Sequence, residues 1–118
     1  MFVYKNNKLY LTKGDTASMT IDLTDAAGLP TSVQTNDVLT LTVREKVGGT
    51  IIFTAENAVG EPSIDITPAM TKTKKAGTYS ADIQLKRGSE IYTIFPDKPF
   101  EPMKNMQNFV LLPEVTET

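Results

Sequence analysis

The chain has 118 residues, 12 of them basic and 14 acidic, with no cysteine, histidine or tryptophan. That length suits one domain, 1–118, able to bury a core without a metal or disulfide staple. The missing residue types exclude thiolate chemistry, an imidazole base and Cys/His metal centres within these residues, and a net charge of −2 with a pI near 5.1 excludes electrostatic capture of nucleic acid.

In chain order, "MFVY" comes first. Phe2, Val3 and Tyr4 are too apolar for a free tail and are expected to add an edge strand, either to the chain's own sheet or to a neighbour's. The segment lacks the charged and apolar regions of a cleaved leader, so synthesis in the cytoplasm without a signal peptide is expected. No apolar run nears the ~20 residues of a membrane helix. "LYLT" (9–12) reads as a strand closed by Lys13-Gly14-Asp15, and "ASMTIDLTD" alternates cleanly, with Met19, Ile21 and Leu23 on one face. "DAAGLP" is a turn, with Gly28 free to take positive φ and Pro30 barring continuation of a ladder. "PTSVQTND" is a polar connection.

"VLTLTVRE" predicts a strand with Leu39, Leu41 and Val43 inward, broken at Gly48-Gly49. "TIIFT" follows with Ile51 and Phe53 on one side, then "AENAVGEP" as loop and "SIDIT" with Ile64 and Ile66 inward. Thr67-Pro68 reads as an N-cap and first-turn proline, so "PAMTKT" is one helical turn with Met70 packing beneath it. "GTYSADIQL" puts Tyr79, Ala81, Ile83 and Leu85 on one face and Ser80, Asp82 and Gln84 on the other. Arg87-Gly88 turns the chain into "EIYTIF", whose inward set is either Ile91/Thr93/Phe95 or Tyr92/Ile94. After the Pro-rich "PDKPFEPMKNMQN", "FVLLP" closes with Phe109 and Leu111 inward.

Close turn signals and the absence of a sustained 3.6-residue period predict an all-β, antiparallel sandwich of about seven or eight strands with one short helical turn. The fold class expected is the immunoglobulin-like β-sandwich. Tyr79 follows a Gly77-Thr78 step at a strand start, which fits a tyrosine corner; the alternative is an ordinary inward aromatic.

Candidate chemistry is sparse. There is no GxGxxG or Walker-type loop. Asp22 and Asp82 would form an acid–base pair only if they met across a sheet; the plainer reading is two solubilising surface carboxylates. "DLTDAAG" lacks the alternating ligands and distal Glu of a calcium loop. Lys72, Lys74 and Lys75 read as a solvated turn. No catalytic residue, metal or cofactor is therefore expected, and the chain is not expected to be an enzyme. Two apolar surfaces remain as contact candidates: Phe2, Val3 and Tyr4 at the N-terminus, and Phe100, Met103 and Met106 in the Pro-rich connection.

"KGDTASMTIDLTDAAGLP", "LTVREK", "SIDITPAMTKTKKAGTYSADIQL", "GSEIYTI" and "PEVT" resemble the small immunoglobulin-like domains of Gram-positive phages and prophages, in particular the N-terminal domain of siphophage baseplate upper proteins. The matching elements are Gly14-Asp15-Thr16, the turn from Asp25 to Gly28, and Gly77, Tyr79, Asp82, Ile83, Gln84 and Leu85. The resemblance spans roughly 13–116. It implies a structural role in the virion, as a tail or baseplate component or an adaptor. Its partners would be other tail or baseplate proteins or copies of itself, with no nucleic acid or membrane involved. It also implies structural roles for Gly28, Gly77 and Tyr79. Baseplate proteins continue into a long further region; a stand-alone copy of the domain would be expected to be a tail accessory or decoration protein, or a separately encoded adaptor. The alternative function is a carbohydrate-binding module for cell-surface glycan; without tryptophan, its stacking platforms would be Tyr4, Tyr10 and Tyr92.

Overall fold

Period-two alternation becomes β-ladders in the computed structural model, which describes residues 2–5, 8–25, 27–96 and 106–114. β1 (Phe2–Lys5) and β2 (Lys8–Thr12) pair antiparallel, Phe2 opposite Leu11. β3 (Ala17–Thr20) and β8 (Ser63–Ile66) form a two-stranded sheet, and β4 (Leu23–Thr24) and β5 (Pro30–Thr31) a second. The larger sheet also contains β6 (Val38–Arg44), β7 (Ile51–Glu56), β9 (Gly77–Arg87), β10 (Glu90–Phe95) and β11 (Phe109–Leu112). Its order is β1-β2-β11-β9-β6-β7, with β10 also on β9. β11 runs antiparallel to β9 and parallel to β2. The fold is an all-β sandwich: inward side chains of the large sheet and of β3, β4 and β8 form one buried cluster.

That cluster follows the alternation closely. Leu39, Leu41 and Val43, Ile64 and Ile66, and Phe109 and Leu111 are all buried. Phe109 meets Phe53 edge-on at 5.8 Å between ring centroids, a favoured aromatic arrangement. Each such side chain contributes about 1.5–3 kcal/mol by leaving water. α1 (Pro68–Thr71) is the single expected helical turn, with Pro68 at its first position and Thr67 as N-cap, whose side chain makes no capping hydrogen bond. Met70 is half-buried against the core, and the fully buried residue there is Thr71, whose Oγ1 accepts from the Gly14 amide at 2.9 Å.

Several local expectations change. The "ASMTIDLTD" run divides into β3 and β4 around Ile21, whose amide leaves the ladder to bond the Pro62 carbonyl at 2.7 Å; Ile21 is only half-buried. β7 continues through Ala55 and Glu56, which sequence pattern assigned to loop, and buries Ala55 instead of Ile51. A register shift between Val43 and Arg44 turns Ile51 outward. Ser80, expected on the wet face, is buried because the chain before β11 crosses it: its hydroxyl donates to the Met106 carbonyl. β10 has neither expected inward face. Residues 90–93 are exposed, Ile94 is half-buried and only Phe95 is buried, after a register shift between Thr93 and Phe95. β1 joins the chain's own sheet at the end of its strand order, one of the two places expected for "MFVY".

Candidate functional site

The most distinctive surface lies between the layers, where β3 and β4 run past β10. β3 pairs only with β8 and β4 only with β5 among the described residues, so the other edge of this β3–β4 run is unpaired there. A cleft of about 240 Å³ opens beside it, lined by Phe2, Tyr4, Leu9, Ile83, Ile94 and Phe95 together with Met19, Thr20, Ile21 and Asp22. A second groove continues along Leu23, Thr24 and Asp25 toward Leu85, Tyr92 and Ile94. Consecutive residues 19–25 border the two, and a strand seen face-on would present every second residue. The wall is therefore the backbone edge of the strand. The opposite wall and floor, from Ile83, Leu85, Tyr92 and Ile94, are side-chain faces.

The proposed contact residues divide sharply. Phe2 is half-buried and packs on the core, while Tyr4 is 53% exposed with its ring edge-on to Phe95 at 5.9 Å. Both line the cleft, so these two do meet at one surface. Met106 is a correction: it is buried, and its carbonyl is held by Ser80, so its side chain offers no outer surface. The Val3 side chain, Phe100 and Met103 lie outside the described residues. Ile91, 60% exposed on β10, was not singled out, and Tyr92, 46% exposed, only as a sugar platform, although the ambiguous face of "EIYTIF" was the signal for both.

The carboxylates do not form a catalytic pair. Asp22 is exposed between β3 and β4, whereas Asp82 is half-buried on β9 opposite Thr42 of β6, in the other sheet. Burial pushes the Asp82 carboxyl above its ordinary value, against the nearby Arg44 charge. Asp25 serves its own turn: Oδ1 accepts from the amides of Ala27 and Leu29 at 2.9 and 3.0 Å, and Gly28 takes φ +81°. Among the described residues, no group of three or more acids is placed to hold a metal ion.

Comparison with known proteins finds no family model, curated protein or solved structure that matches this chain.

Two polar constructions brace the scaffold around the cleft. The Tyr79 hydroxyl donates to the carbonyl of Lys75, four residues upstream, which is the geometry of a tyrosine corner, and Gly77 opens the strand that carries it. Burial, with the Glu45 charge second, raises the Tyr79 pKa, so its proton stays available for that bond. Tyr79→Phe is expected to remove about 1 kcal/mol of stability. Urea denaturation checks it, the midpoint falling with the slope unchanged.

The second construction was not legible in the sequence. Asp37, 1% exposed, accepts from Arg87 through Nε at 2.9 Å and through its terminal nitrogen at 2.7 Å, and from the Gln34 amide at 2.7 Å. Asn57 donates to the carbonyls of Asp37 and Glu61 and accepts from the Leu39 amide. Gly60 sends its amide to Asp37 O; it sits at φ +84°, and a Cβ there would lie 2.4 Å from the Thr35 carbonyl oxygen, which only glycine avoids. Together these bonds tie the tip of the β9–β10 hairpin to the loops before β6 and after β7.

No helix among the described residues is long and apolar enough to cross a membrane.

Proposed function

We propose that this chain is a non-enzymatic structural protein of a phage or prophage. It acts as a tail or baseplate component, or as an adaptor, by docking on other virion proteins or on copies of itself. The sequence resemblance supports the family. Strand order supports an immunoglobulin-like reading: β11-β9-β6-β7 corresponds to G-F-C-C′ of a variable-type sandwich and β3-β8 to B-E, with Tyr79 at the strand F entrance. The observation that carries docking is the apolar cleft bordered by a strand edge that is unpaired among the described residues.

Mass spectrometry of particles purified after induction of a lysogen that carries the gene tests the role. The chain is expected in purified tails at a fixed ratio to a major tail protein. Its absence from particles while present in the lysate removes the reading. Light scattering after size exclusion then separates a ring-sized oligomer, which brings its own symmetry, from a monomer that docks on a partner bearing it.

One observation favours a second reading as a glycan-binding module. Tyr92 is exposed on β10 and its hydroxyl is held by the Glu90 carboxylate, a fixed ring on which a sugar can stack. Titration with cell-wall polysaccharide, with Tyr92→Ala as control, decides it.

A further inference from the structure

We propose that the unpaired edge of β3–β4 receives an extended segment of a partner protein as an added strand. Its alternate apolar side chains lie over Ile83, Leu85 and Ile94, and a lysine or arginine sits against Asp22. This deepens the docking role and rests on it.

Three observations lead there. First, residues 19–25 border the groove consecutively, as the edge of a strand does and a single side-chain face does not. An edge of that kind is completed by main-chain hydrogen bonds from another strand. Second, the floor is apolar and reaches the core: Ile83 and Leu85 are buried and Ile94 half-buried, all bordering the groove. Side chains on one face of an added strand would cover them, since alternate residues of a strand share a face. Third, the charge is one-sided. Asp22 and Asp25 line the groove and are exposed, Asp25 also holding its own turn, while Arg87, which lines it too, is paired with Asp37. A cationic flank on the incoming segment complements this rim.

The first measurement is amide hydrogen exchange on the whole, free chain. Amides of residues 19–24 that do not bond to β5, β8 or Pro62 are expected to exchange fast. Protection there in a monomer means that another part of this chain already covers the edge; protection that appears only on dimerisation means a second copy does. Either result overturns the proposal.

The second is titration with a synthetic peptide about nine residues long, alternating valine and threonine with lysine at both ends, followed by amide NMR shifts. Saturable shifts are expected at residues 19–24, 83–85 and 92–95. Asp22→Lys, an exposed change that leaves the core intact, is expected to weaken binding about fivefold, and a glutamate-ended peptide to regain it. No shift at residues 19–24 with millimolar peptide, or shifts confined elsewhere, overturns the proposal. Because the peptide titration does not depend on virions, a silent groove in a chain found in purified tails would remove this docking mode and leave the structural role standing.

Discussion

Replacing Asn108 with leucine is expected to destabilise the fold by about 4 kcal/mol, because each of two backbone groups orphaned in the interior carries a penalty of roughly 1–3 kcal/mol. Asn108 is fully buried, accepts from the Ala81 amide at 2.7 Å and donates to the Ala81 carbonyl at 2.8 Å. Ala81 sits where β9 changes partners on that edge: β11 pairs with Gly77–Tyr79, and β10 pairs from Ile83 to Arg87. The side-chain amide therefore stands in for a missing ladder residue. Leucine keeps the branched shape and the number of heavy atoms and removes both bonds. Thermal unfolding should show the midpoint lowered by ~10 °C or more. Asn108→Asp should be no milder at neutral pH, because it loses the donor and buries a charge against the Ala81 carbonyl. A leucine variant melting with the parent would mean that water or a neighbouring group satisfies Ala81 instead.

Asp37→Ala is expected to remove about 2–3 kcal/mol, the loss of a charge-assisted pair together with an amide bond. Arg87 is a third exposed and regains water when its partner is lost, which limits the effect. The pH dependence isolates the carboxylate. The hydrogen bonds from Arg87 hold the Asp37 carboxyl below its ordinary 3.8, with burial opposing and the Gln34 amide assisting. The unfolded chain thus binds the proton first. The contribution is fully present above about pH 3.8 and is lost as the pH falls from there through the folded value. Asp82 has the opposite sign: burial raises its folded value, so protonation there favours the native state as the pH falls. Urea midpoints from pH 6 down to pH 2, compared between the parent chain and Asp37→Asn, should differ at the top of that range and converge at its foot. A constant offset would assign the pair no titrating role.

Much of the sandwich was readable from alternation because burial decides which face a strand shows. Leu39, Leu41 and Val43 demanded one inward face, and Ile64 and Ile66 another, and both are buried so. Alternation fails where burial does not discriminate. The outer strand β10 projects past the core, so Ile91 and Tyr92, on opposite faces, are both exposed and no pattern could rank them. Long-range polar contacts are equally silent. Asp37 and Arg87 are separated by 50 positions, and each taken alone reads as a turn residue. Asn108 read as part of a loop, although its side chain completes a strand edge. Of the candidate cleft, Phe2 and Tyr4 were legible through their apolarity. The strand edge that forms its wall was not, because an unpaired edge is a property of topology and leaves no mark on composition.

The partner change along β9 has an evolutionary consequence. Phe95 lies opposite Ile83 and Phe109 opposite Tyr79, so both anchors of the intervening connection rest on one strand. They are separated by four positions of it, about 13 Å of extended chain. Their spacing is set by β9 and not by what joins them. Doubling the length of a flexible connection adds only about 0.6 kcal/mol of closure entropy. Chains of this architecture can therefore lengthen the part of that connection ahead of Met106 with little loss of stability so long as Met106 and Asn108 keep their places, which makes it a site where new recognition surfaces can be acquired.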